Sequence, residues 1–120
     1  MLHIGINGDR MKLNKLAEEI FKNAVKKGFW SKKISTKVIP EKLALVHSEI
    51  SEVLEEYRNG HSPTEIYIKE GKPEGIPIEI ADAVIRLLDI CAAYDINIEN
   101  AIKIKMDFNK RRPYKHGKKI

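Results

Sequence analysis

The segment from Ile76 to Tyr94 constrains the fold more than any other. It is apolar on nearly every side, yet Glu79, Asp82, Arg86 and Asp89 recur through it at spacings of three, four and three. At roughly 100° per residue those spacings place all four on one narrow stripe of a helix. A helix apolar around the rest of its circumference has to be covered. In a chain of 120 residues that means the middle of a bundle or an interface between subunits.

Three more helical segments surround it. One runs from about Met11 to Lys27, with Leu13, Leu16, Ile20, Phe21 and Val25 near helical spacing and Gly28 ending it. Another begins at Pro40, acceptable in a first turn, and runs to about Arg58, where Asn59-Gly60 stops it. The last starts near Ile98 with Asn97 as N-cap, and Pro113 limits its end. Gly, Pro and Ser recur between Gly60 and Gly75, so a loop or short linker is expected there. Residues 1–10 alternate weakly (Leu2, Ile4, Ile6) and are left without a secondary-structure assignment, and the basic tail 113–120 reads as irregular. The expectation is one all-α domain over residues 1–120, a bundle of about four helices completed by oligomerisation as a dimer or tetramer.

The single cysteine, Cys91, excludes an internal disulfide and sits in an apolar run as a small hydrophobe. No apolar stretch approaches the ~18 residues of a membrane span and no signal-peptide pattern opens the chain, so a cytoplasmic protein with no membrane partner is expected.

Charge is polarised along the chain. Residues 103–120 hold eight Lys and Arg against Asp107 alone, a local net of +7, whereas Glu41 to Glu56 hold five acids against Lys42, a local net of −4. Glu49, Glu52 and Glu56 form a second acidic stripe, bordering the apolar face of Val46, Ile50, Val53 and Tyr57, with Glu49 nearest that face. Either stripe alone needs only water. Packed against each other they repel unless a cation lies between them, and hard divalent ions take carboxylate oxygens. No glutamate has histidine three residues later, which excludes the usual di-iron bundle pattern.

On the last helix Lys105, Asn109 and Arg112 project into the middle of the arc formed by Ile98, Ala101, Ile102, Ile104 and Phe108. Cations on a helix's apolar side either pair with inner carboxylates, snorkel past apolar neighbours, or await a polyanion. Carboxylates for a metal on one side and cations on the other are what phosphoryl chemistry requires.

The pairs Glu49-x-x-Glu52 and Glu79-x-x-Asp82 resemble the Glu-x-x-Glu … Glu-x-x-Asp pattern of the MazG-like, all-α nucleoside triphosphate pyrophosphohydrolases. The surrounding text agrees, from Lys42-Leu-Ala-Leu-Val-His-Ser-Glu49 through Glu79-Ile-Ala-Asp-Ala-Val-Ile-Arg-Leu-Leu-Asp89. Lys105-x-x-x-Asn109-x-x-Arg112 and the basic tail look like the same family's phosphate element, and the resemblance spans roughly Phe29 to Lys119. The resemblance implies Mg²⁺-dependent cleavage of (d)NTP between the α and β phosphates, giving monophosphate and pyrophosphate, with Mn²⁺ as a possible substitute. It implies metal ligation by Glu49, Glu52, Glu79 and Asp82, and substrate contacts by Lys105, Asn109, Arg112 and Lys115, in a homo-oligomer whose sites are completed at subunit contacts.

Glu49 or Glu52 is the expected general base, since a glutamate not fully engaged with metal can take a proton from water. Trp30 either stacks on a base or packs as a core aromatic. His47 falls off the acidic stripe and reads as a structural or surface residue rather than a ligand, and Glu56 and Asp89 extend the stripes as supporting residues. The rival reading is a non-catalytic helical module that binds nucleic acid through the basic C-terminal segment. It accounts for the tail but not for the acidic stripes.

Overall fold

The computed structural model describes residues 12–119; the start of the first helix at Met11 and the weak alternation of residues 1–10 lie outside the described residues, as does Ile120. Four α-helices make up most of the described chain: α1 (Leu13–Lys26), α2 (Ile39–Arg58), α3 (Ile76–Ala93) and α4 (Ile98–Lys110). Their bounds follow the local chemistry. Lys27 closes α1 and Gly28 continues at φ 84°, while Asn59 closes α2 ahead of Gly60 at φ 85°. Proline stands in the first turn of both α2 and α3, where its missing N–H removes no helical bond. Asn97 caps α4, its side chain accepting from the Asn100 N–H at 3.1 Å.

The α2–α3 connection is more ordered than its composition indicates. β1 (Tyr67–Lys69) and β2 (Lys72–Glu74) form an antiparallel hairpin, pairing Tyr67 with Glu74 and Lys69 with Lys72. Glu70 and Gly71 take φ of 53° and 78°, the two left-handed residues of a tight hairpin turn. Three-residue strands with Pro73 in one of them carry too little alternation to read as strands from sequence. The all-α expectation therefore holds for the body of the molecule, with this small sheet as an addition.

α3 is the centre. Both α1 and α2 pack along it, and its Ile76, Ala83, Leu88, Ile90 and Cys91 are buried together with Ala17 of α1 and Val46 of α2. Trp30, in the turn after α1, closes one end of this core. Its ring meets Phe21 and Tyr94 edge-on, Lys42 Nζ lies 4.2 Å from its centroid, and its N–H donates to both oxygens of Asp89 at 2.9–3.0 Å.

α4 behaves differently. It is tied to α1 chiefly at its N-terminus, where Asn14 Oδ1 accepts from the Ile98 N–H at 3.0 Å and Asn14 Nδ2 donates to Asn97 Oδ1 at 2.9 Å. None of its residues is buried. Ile104 is 62% and Phe108 47% exposed, and Ile80, Val84 and Leu87 on α3 are also open. The radius of gyration, 16.9 Å, exceeds the ~13–14 Å of a compact chain of this length. Among the described residues no helix is long and apolar enough to cross a membrane.

Candidate active site

The acidic stripes of α2 and α3 meet because both helices use the adjoining apolar positions to pack on each other. Glu49 (α2), Glu79 and Asp82 (α3) bring carboxylate oxygens within 4.8 Å of one another. Glu79 is only 8% exposed and the Glu49 side chain 17%. Glu79 occupies the first turn of α3, where the helix dipole favours its ionised form. Burial nevertheless dominates. Together with the charges of Asp82, Glu74 and Glu52 it pushes Glu79 up from 4.5 to about 7. Asp82 is raised as well, by burial and by Glu49, against an opposing pull from Arg86.

This donor set suits a hard divalent cation. All the groups are carboxylates, the oxygen donors that Mg²⁺ takes in an octahedral shell. A cation would also offset the like-charge repulsion that, after burial, helps to raise Glu79 and Asp82.

Glu52 stands outside this trio. It is exposed, although its charge still reaches Glu79. Glu79 belongs to a second group as well, with Glu56 and the hairpin residue Glu74, also within 4.8 Å. Tyr67 holds Glu56 in place, its hydroxyl donating to both carboxylate oxygens at 2.9 Å, and His61 Nε2 lies 3.6 Å from Glu56. Lost hydration and the Glu56 hydrogen bond push the Tyr67 hydroxyl up to about 12.

Arg86 is the cation built into the site. Its Nε donates to Glu49 Oε1 at 3.0 Å, and Glu49 is its one ion-pair partner among the described residues. Beside it opens a groove of about 650 Å³, floored by α3 and walled by α1 and α2; Glu49, Asp82, Arg86 and Lys42 all border it. Sequence reasoning placed Arg86 on the right stripe but gave it no role. The signal was its spacing, three residues before Asp89 and four after Asp82. Glu74 had no such signal, because only the hairpin pairing brings it beneath α3.

The cations of α4 are not gathered here. Lys105, Asn109, Arg112 and Lys115 neither border the groove nor bond to its carboxylates among the described residues. Lys105 is exposed, whereas Asn109 and Arg112 are half-buried. Lys105 and Arg112 instead lie over the Phe108 ring, at 5.1 and 5.3 Å, and Lys115 over Tyr114 at 5.9 Å. The Asn109 Oδ1 atom is buried without a hydrogen-bond partner.

Trp30 is likewise placed elsewhere. At 7% exposure, with its N–H given to Asp89 and Lys42 over its ring, it has no free face for a base. Of the two alternatives open to it, the structure gives the core aromatic. His47 is exposed and Cys91 buried, as their positions indicated. Comparison with protein-family models, with curated proteins and with solved structures returns no match for this chain.

Proposed function

We propose that the protein is a Mg²⁺-dependent nucleoside triphosphate pyrophosphohydrolase of the MazG-like kind, cleaving (d)NTP to (d)NMP and pyrophosphate. The convergence of Glu49, Glu79 and Asp82 at the edge of an arginine-bearing groove carries this reading. Glu49, Glu79 and Asp82 hold the metal, with Glu52 close enough to join or assist. The bound ion neutralises the phosphate oxygens and makes the phosphorus easier to attack, and Mn²⁺ can substitute for it.

The remaining work falls to the chain. Arg86, fixed through Nε on Glu49 and bordering the groove, can grip a phosphate with two hydrogen bonds. Glu52 is the better placed of the two candidate bases. Glu49 is engaged by Arg86 and by the carboxylate trio, whereas Glu52 stays hydrated beside it and is free to take a proton from the attacking water.

Lys105, Asn109, Arg112 and Lys115 then act from a second subunit. The exposed apolar residues of α3 and α4, the loose attachment of α4 and the unpaired Asn109 oxygen support a homo-oligomer, dimer or tetramer, in which α4 docks across the groove of its neighbour. The cytoplasm, with its supply of Mg²⁺ and nucleotide, suits this activity.

The test is incubation of the purified protein with Mg²⁺ and a panel of nucleoside triphosphates, with both products identified. Monophosphate plus pyrophosphate is expected. Diphosphate plus phosphate would move the cleavage position. Absence of turnover with Mg²⁺ and Mn²⁺ would shift the weight to the alternative, a nucleic-acid-binding module. That alternative is favoured by one observation, that no cation from Lys103 to Lys119 has an acidic partner within 4 Å among the described residues.

A further inference from the structure

We infer that the groove between α1 and α2 receives the base of a guanine nucleotide, with Glu19 and Asn23 reading its Watson–Crick edge; this rests on the nucleotide reading above. At about 650 Å³ the groove is of the size that takes a small organic ligand. Its α2–α3 side carries the charged groups Glu49, Asp82 and Arg86, which suit a phosphate end. Apolar side chains from three helices, Leu16 and Ile20 facing Leu45 and Ile85, line the middle and suit the flat faces of a ring. The polar side chains that α1 adds to the lining are Glu19 and Asn23.

These two lie one turn apart on the same face of α1, so their side chains stand side by side, roughly 5–6 Å apart at Cβ. Both are exposed at the lip of the groove. Neither side chain has a hydrogen-bond or ion-pair partner among the described residues.

A carboxylate only accepts, whereas a carboxamide both donates and accepts. Guanine presents two adjacent donors, N1–H and the 2-amino group, followed by the O6 acceptor. Glu19 can accept from both donors while Asn23 Nδ2 donates to O6. Adenine and cytosine would set a ring-nitrogen lone pair against the carboxylate, and uracil offers one N–H between two carbonyl oxygens. Sites whose polar groups are matched to a ligand edge reject analogues that leave those groups unpaired.

The experiment measures kcat/KM of the full chain with Mg²⁺ for GTP, ITP, ATP, CTP and UTP, alongside calorimetric binding of each nucleotide. ITP differs from GTP only in lacking the 2-amino group. GTP is expected to exceed ITP by roughly tenfold and the other three by more. Glu19→Gln should erase the GTP-to-ITP ratio, and Asn23→Ala should lower GTP and ITP alike. Equal turnover of all five, or a ratio that survives Glu19→Gln, overturns the base reading and leaves the hydrolase standing. Selective GTP binding without hydrolysis of any nucleotide supports the base site and removes the hydrolase.

Discussion

The α2–α3 face and the α4 face carry the two halves that the proposed phosphate chemistry needs, yet among the described residues only the first is assembled. On α2 and α3 the polar stripe adjoins apolar residues that pack on a neighbouring helix, so burying those residues also brings the carboxylates together. On α4 the cations sit within the apolar arc itself, and among the described residues much of that arc stays exposed. A polar stripe beside a packed seam is positioned by the fold. A polar stripe inside an unpacked seam is left for the proposed oligomer to position.

The largest effects should come from the assembled half. Glu79→Gln and Glu52→Gln should each reduce kcat/KM by about a hundredfold or more, but through different losses. Glu79→Gln should abolish the rise in Tm produced by Mg²⁺, whereas Glu52→Gln should retain it, as thermal melts with and without the ion would show. Loss of the Mg²⁺ shift in both variants would make Glu52 a ligand.

The unassembled half predicts a smaller change with a distinctive rescue. Arg112→Ala should raise KM by about tenfold. Mixed and reassembled with Glu79→Gln, it should regain activity, since some sites would then combine an intact carboxylate trio with an intact α4. Strict additivity of the two parental activities would place both halves in one subunit.

Smaller still is the effect of Trp30→Phe. It removes the hydrogen bond to Asp89 and should lower stability by about 1 kcal/mol, read as a Tm lower by several degrees, with KM unchanged. A KM that rises instead would return Trp30 to the substrate.

The remaining effect is a slope with pH. Glu79 titrates near 7 when folded and near 4.5 when unfolded, so the fold favours its protonated form. Its contribution is therefore fully present below about 4.5 and is lost as pH rises through about 7. Metal-free protein should show a falling Tm across that window, and the Glu79 part of the fall should vanish in Glu79→Gln. Saturating Mg²⁺ should reverse the trend, because it favours the ionised carboxylate.

The same contrast explains what the sequence disclosed. Helical spacing in Glu79, Asp82, Arg86 and Asp89, with Pro and Asn at helix ends, was enough to place four helices and to align the acids. Glu74 was illegible because its position depends on a hairpin of two three-residue strands, and periodicity over three residues says nothing. Trp30 was ambiguous because its partners Asp89 and Lys42 come from two other helices, and no local pattern announces a contact of that range. Spacing alone lays out the arc of α4, but it carries no sign that much of the arc stays exposed among the described residues.

Gly75 ends the hairpin at φ 124°, and a methyl group there would overlap the carbonyl oxygen of Glu65. The tip at Gly71 has open space around it instead. The space around the tip therefore admits added length, although φ 78° still favours glycine at Gly71, while the exit at Gly75 stays fixed to within an atom's width. A fluorophore or short peptide tag inserted at the tip would ride on the strand pair beside Glu74, so ion binding at the carboxylates could be followed by light rather than by turnover.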